Sequence, residues 1–136
     1  MSKLAIIYWS GTGNTEAMAE AVKAAAGADA SLFNCADFDA ASAASYEAFA
    51  LGCPAMGSEE LEDGEFQPLF TSITPALSGK KVGLFGSYGW GSGEWMETWA
   101  DTCSAAGMNV VGTVICCEAP DDDAIANLKD LAAKLA

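Results

Sequence analysis

The sequence predicts an α/β fold: one parallel sheet of five strands with helices on both faces, joined by right-handed crossovers. Three observations lead there. Short apolar runs of strand length alternate with longer alanine-rich or amphipathic segments along all 136 residues. The first run, Leu4-Ala5-Ile6-Ile7-Tyr8-Trp9, is nearly all apolar, as in a strand covered on both faces. Glycine, proline or a helix-capping residue punctuates almost every transition. The length suits one domain over residues 1–136, and a chain of this size buries roughly 68–70% of its unfolded surface without needing disulfides or metals.

Leu4 to Trp9 is the first strand. After a Gly/Ser/Thr turn, Thr15 to Ala26 reads as a helix ending at Gly27, which suits a C-cap. Ala30 to Asn34 is a weak second strand, and Asp39 to Ser45 starts a short helix with Asp39 as N-cap. Ala48 to Gly52 is the third strand, halted by Pro54. An acidic loop leads to a helical stretch around Phe66 to Ile73, stopped by Pro75 and Gly79. Lys81 to Gly86 is the fourth strand, Glu94 to Ala106 a helix closed by Gly107, and Asn109 to Cys117 the fifth strand. Pro120 and the run Asp121-Asp122-Asp123 open a last helix to Leu135, its acids at the positive end of the helix dipole. No linker, repeat or low-complexity stretch interrupts this order.

Composition narrows the function. Nineteen acids against six lysines, with no arginine or histidine, give a net charge of −13. Such a surface repels nucleic acid and anionic membranes, since phosphate binding needs cations, and attracts basic docking faces. The cysteines Cys35, Cys53, Cys103, Cys116 and Cys117 form no C-x-x-C. Without histidine they make no zinc or iron–sulfur set, and they are expected as reduced thiols packed as small hydrophobes. The missing histidine and arginine remove the usual general base and anion clamp. No run is long enough to span a bilayer and no signal peptide is evident, so a cytoplasmic protein is expected, and a monomer.

In open parallel sheets, ligands sit beyond the carboxyl ends of the strands near the switch in strand order. Chemistry is therefore sought in the loops after strands one, three and four. The first, Ser10-Gly11-Thr12-Gly13-Asn14-Thr15, combines glycine-directed amides, hydroxyl donors and a helix N-terminus, which describes a phosphate site. It lacks the Lys-Ser/Thr ending of a P-loop, and Glu16 stands at the third glycine of the dinucleotide fingerprint. A terminal phosphate monoester held by neutral donors fits better than a diphosphate. The second loop, Pro54-Ala55-Met56-Gly57-Ser58-Glu59-Glu60, is a turn with an exposed apolar side chain and a glycine that lets a peptide reorient. The third, Gly86-Ser87-Tyr88-Gly89-Trp90-Gly91-Ser92-Gly93-Glu94, sets two aromatics among glycines. Trp90 there suits a stacking plate for a flat ring, and Tyr88 a second stacking or edge contact. Trp95 and Trp99, at i and i+4 on the next helix, are read as core. A phosphate nest, two walls for a planar ring and no cation together fit FMN better than a pyridine or adenine dinucleotide.

These residues carry a resemblance. Ser10 to Thr15, the Met56-Gly57 loop and the Gly89-Trp90-Gly91 loop, in this order, are similar to the short-chain flavodoxins, and the likeness runs essentially end to end. It implies a flavodoxin-like three-layer sandwich with strand order 2-1-3-4-5. It implies FMN phosphate in Ser10 to Thr15 and the isoalloxazine between Met56 and Trp90. The remaining cofactor contacts fall on Pro54, Ala55, Glu59 near the pyrimidine end, Ser87, Tyr88, Gly89, Gly91 and Gly93. The Gly57-Ser58 peptide would turn its carbonyl to flavin N5–H, stabilising a neutral semiquinone. Relatives often carry asparagine just before the Glu-x-Pro segment that follows strand five. Here that position is Cys117, which leaves its usual cofactor contact open.

The implied function is low-potential, one-electron transfer between redox proteins with basic docking surfaces, with no substrate turnover. Reduction adds negative charge beside Glu59, Glu60, Glu62, Asp63 and Glu94, which opposes the last electron while the same acids steer partners. The alternative is an NAD(P)H-dependent flavin or quinone reductase on the same fold, for which no nicotinamide-pocket segment or cationic site is evident.

Overall fold

Leu4–Tyr8 forms strand β1, and all five of its residues are buried, as a strand covered on both faces requires. The computed structural model describes residues 4–9, 13–27, 30–43, 45–54, 64–88, 94–117 and 120–135. Within them, β2 (Ala30–Asn34), β3 (Ala48–Gly52), β4 (Lys81–Tyr88) and β5 (Asn109–Cys117) join β1 in one sheet of order β2-β1-β3-β4-β5. Every neighbouring pair is parallel. Strand order reverses beside β1, since β2 lies on one side of it and β3 on the other.

Two apolar layers follow from the alternation of side chains along the strands. Ala5, Ile7, Phe49, Leu51, Val82 and Leu84 face helix α3 (Phe66–Leu77) and helix α4 (Glu94–Ala105), with Ala43 of the short helix α2 (Ala40–Ala43) in the same cluster. Leu4, Ile6, Tyr8, Ala50, Phe85 and Val114 face helix α1 (Asn14–Ala26) and helix α5 (Asp122–Leu135). Close packing on and within the sheet is built into its glycines. A Cβ at Gly83 would lie 2.8 Å from Leu131 of α5, and one at Gly52 would lie 2.2 Å from the Phe85 ring. Among the described residues no helix is long and apolar enough to cross a membrane.

The caps are largely those expected. Gly27 ends α1 at φ 76, its N–H donating to the Lys23 carbonyl. Asp39 caps α2 by accepting from the Ser42 N–H at 2.9 Å, and Asp121 caps α5 by accepting from the Ala124 N–H at 2.8 Å. Cys35, Cys53, Cys103 and Cys116 are buried within the two apolar clusters. Burial pushes the Cys103 thiol up to about 12.

Three boundaries differ from expectation. Helix α3 is not stopped by Pro75 but carries it and runs on to Leu77. A proline inside a helix costs about 3 kcal/mol, yet Ile73 and Leu77 are both buried at i and i+4. Ile73 lies within the expected helix, so the extension gains the burial of Leu77, roughly 1.5–3 kcal/mol, which offsets most of that cost. A turn of 3₁₀ helix, Cys35–Asp37, follows β2, capped by the Asn34 side chain, which accepts from the Ala36 N–H. Strand β4 extends two residues beyond Gly86, because Ser87 and Tyr88 stay paired with Cys116 and Cys117 of the long neighbouring strand β5.

Candidate functional site

The carboxyl ends of β1, β3 and β4 are adjacent in the sheet, and hydrogen bonds continue past the strands themselves. The Trp9 N–H donates to the Gly52 carbonyl at 3.0 Å, and the Cys53 N–H donates to the Phe85 carbonyl at 3.1 Å. The chain segments that begin at Trp9, Cys53 and Tyr88 therefore leave the sheet side by side at one edge. Phe85 pairs with Gly52, the last residue of β3, so β4 outruns β3 and carries Ser87 and Tyr88 into that edge.

The N-terminus of α1 opens at the same edge. Gly13 is its N-cap at φ 93, a left-handed conformation that glycine adopts without strain. The first-turn amides of any helix lack intrahelical acceptors and sit at the positive end of its dipole. Thr15, 1% exposed, and Ser87, 5% exposed, are the buried polar residues of the described chain. Their hydroxyls share a hydrogen bond of 3.3 Å across 72 residues of sequence. Two buried hydroxyls at the mouth of a helix, with no cation among them, form a neutral donor set of the kind that holds a phosphate oxygen. The described lysines stand elsewhere: Lys23 in the last turn of α1, Lys80 and Lys81 at the start of β4, Lys129 and Lys134 in α5.

On the other face of the sheet, Trp95 of α4 is 2% exposed and its indole N–H donates to the Cys53 carbonyl at 3.2 Å. That carbonyl also lies over Gly86, where a Cβ would come within 2.2 Å of it. The entry to the Pro54 loop is thus held by a tryptophan on one side and a glycine on the other. The Cys53 thiol donates to the Pro54 carbonyl at 3.5 Å. Tyr88 is half-buried, its ring 5.7 Å from that of Trp95 and inclined at 56°. The Trp9 indole N–H reaches Glu65 at 3.4 Å.

Comparison with known proteins decides the family. The flavodoxin family profile matches residues 6–129. The flavodoxin of Megasphaera elsdenii is 56% identical over 120 residues, covering 86% of this chain and 88% of that protein. The flavodoxin of Clostridium beijerinckii is 40% identical over 134 residues, covering 96% and 97%. The solution structure of two-electron reduced Megasphaera elsdenii flavodoxin shares the fold with a TM-score of 0.89 at 52% identity, over 96% of this chain and 98% of that one.

The chain belongs to the flavodoxin family.

Flavodoxins bind FMN and carry electrons between redox partners, and the strand order 2-1-3-4-5 is the one the resemblance implied. Of the flavodoxin site residues expected from the sequence, Gly13, Asn14, Thr15, Pro54, Ser87 and Tyr88 are described, and so is the backbone of Cys117, which pairs with Tyr88. Ser10, Gly11, Thr12, Ala55, Met56, Gly57, Ser58, Glu59, Gly89, Trp90, Gly91 and Gly93 lie outside the described residues. The structure brings Thr15 and Ser87 together and turns the third loop's first residues into strand. It also gives Trp95 a second task. The sequence places it in the core by its spacing from Trp99, and nothing in that spacing distinguishes the indole that bonds the Cys53 carbonyl from Trp99, whose N–H has no partner among the described residues.

Proposed function

We propose that this flavodoxin holds the FMN phosphate on Ser10 to Thr15 with Ser87, and the flavin ring between the Pro54–Glu59 and Gly89–Gly91 loops, with Met56 and Trp90 as its two faces. The observation that carries this reading is the buried Thr15–Ser87 pair at the α1 N-terminus. It supplies neutral donors at the switch point of the sheet, where a phosphate monoester needs them and a dinucleotide would need more. Each hydrogen bond from such a donor to a charged oxygen contributes roughly 1.5–3 kcal/mol, so a few amides and hydroxyls suffice without a cation.

Bound FMN supplies the one-electron chemistry. The chain supplies position and field: Trp95 fixes the Cys53 carbonyl and so the start of the Pro54 loop, and the net charge of −13 opposes added negative charge. That opposition supports a low potential for the last electron and docking to partners with basic surfaces. The chain acts as a cytoplasmic monomer and electron carrier, with no substrate turnover of its own.

Stepwise anaerobic reduction of the FMN-loaded protein tests this. The expected result is flavin bands with quenched fluorescence and two separable one-electron steps. Direct two-electron bleaching, or rapid reduction by NADPH alone, would move the protein to the reductase class. Absence of flavin binding would remove the site assignment altogether.

A further inference from the structure

Tyr8 and Glu16 flank the phosphate segment in sequence, one closing β1 and the other in the first turn of α1. The Tyr8 ring is buried with Ile6, Met18 and Cys116, leaving its hydroxyl to reach outward. That hydroxyl donates to Glu16 Oε2 at 3.0 Å. Burial first, and then the bond to and the charge of Glu16, hold the phenol above its ordinary pKa, with Glu20 adding to this and Asn34 acting against it. The hydroxyl therefore stays protonated, and a donor, throughout the neutral range.

Glu16 occupies a telling position. With Gly13 as N-cap, it is the third helical residue of α1, where a glutamate ordinarily folds back to accept from the N-cap N–H in a capping box. Those N-terminal amides are the donors a bound phosphate needs. A carboxylate at this position is consequently a rival anion, tethered to the chain and always present.

We propose that Tyr8 is a positioning residue for FMN recognition: by engaging the Glu16 carboxylate it restrains an internal anion from competing with the cofactor phosphate for the α1 N-terminus. The proposal rests on the placement of the phosphate in the Ser10–Thr15 segment. It concerns the phosphate alone, so its signature is a change in FMN affinity with none in the affinity for riboflavin, which has the same ring and no phosphate.

The test is a fluorescence titration of the flavin-free full chain with FMN and with riboflavin. It uses the wild type, Tyr8→Phe, Glu16→Gln, the double variant and Thr15→Ala. Tyr8→Phe keeps the buried ring and frees the carboxylate. FMN binding is expected to weaken about tenfold, the loss of one hydrogen bond to a charged group, while riboflavin binding stays within about twofold. Glu16→Gln removes the rival charge. It is expected to tighten FMN binding about two- to threefold at low salt, with the gain fading as salt screens it. In the double variant the loss caused by Tyr8→Phe should largely disappear, a non-additivity that a purely structural tyrosine would not produce.

Equal weakening of FMN and riboflavin by Tyr8→Phe, no change in either, or no rescue by Glu16→Gln would overturn the proposal. Thr15→Ala separates the two levels of the argument. An FMN-selective loss there, beside a non-selective effect of Tyr8→Phe, removes only the role of Tyr8. Equal losses of FMN and riboflavin in Thr15→Ala remove the phosphate placement and this proposal with it.

Discussion

Replacing Gly86 by alanine should damage both stability and cofactor binding, through one atom. Gly86 pairs with Ile115 in the middle of β4, and a Cβ there would meet the Cys53 carbonyl oxygen at 2.2 Å, the carbonyl carbon at 3.0 Å and the Trp95 ring at 3.2 Å. Real Cβ atoms do not approach an oxygen so closely, and this oxygen belongs to backbone held by the bond from the Cys53 N–H to the Phe85 carbonyl. The segment Cys53–Pro54 must lift from β4, stretching the Trp95 indole bond to the same carbonyl, now 3.2 Å. Overpacking of this kind costs about 1–3 kcal/mol and a strained hydrogen bond about 1 kcal/mol more, giving about 2–4 kcal/mol in all. For a chain of this size that corresponds to a fall in Tm of roughly 6–15 °C. Urea unfolding of the flavin-free chain measures the first effect, and flavin titration measures the second, which follows because the Pro54 loop starts at the displaced carbonyl. Gly79→Ala is the control: its φ is +81, nothing lies within 4 Å of its Cβ, and it sits at the other end of the sheet. It should lose about 1–2 kcal/mol from backbone strain alone with unchanged FMN affinity. A Gly86→Ala protein within about 0.5 kcal/mol of wild type, the size of an ordinary surface substitution, would refute the reasoning.

Other expectations follow from single contacts. Trp95→Phe should be more destabilising than Trp99→Phe by about 1–2 kcal/mol in urea unfolding. The first removes the donor of the Cys53 carbonyl, whereas the second removes an indole N–H that is buried without a partner among the described residues. Cys103 sets an alkaline limit: its thiol ionises near 9.0 when unfolded and at about 12 when folded. The unfolded chain loses that proton first, so stability falls as pH rises through this window, by up to about 1.4 kcal/mol per pH unit. Cys103→Ala should flatten that fall. Asp39 acts at the acid end. The Ser42 N–H, and secondarily the Ser42 side chain, hold its carboxyl below the ordinary value. Its contribution is present above the ordinary carboxylate range and is lost as pH falls through the lowered value, so Asp39→Ala should shallow the acid limb of a stability profile.

Strand positions were legible from the apolar runs: β1 and β3 are buried at every residue and have little freedom of composition, and the edge strands β2 and β5 keep enough apolar residues to be placed. Leu4–Tyr8, Ala30–Asn34, Ala48–Gly52 and Asn109–Cys117 occur within a residue of where the apolar runs place them. The helix caps Gly27 and Asp39 were readable because each serves a neighbour three or four residues away. Pro75 was misread because local propensity counts its missing N–H and cannot count the burial of Leu77. The end of β4 was misread because Gly86, Ser87 and Gly89 around Tyr88 read as a loop, whereas Ser87 and Tyr88 are extended by pairing with Cys116 and Cys117.

By itself the sequence determined the class of fold, which rests on periodicity and turn residues, and, through its resemblance to the flavodoxins, the family. Tertiary structure alone decided which groups meet. Thr15 finds Ser87 across 72 residues, Trp95 finds the Cys53 carbonyl across 42, and Tyr8 turns its hydroxyl to Glu16 rather than into the core. Each contact depends on sheet register and helix packing, which place side chains to within ångströms. Hydrogen bonds require that precision, and hydrophobic patterning along a chain does not encode it.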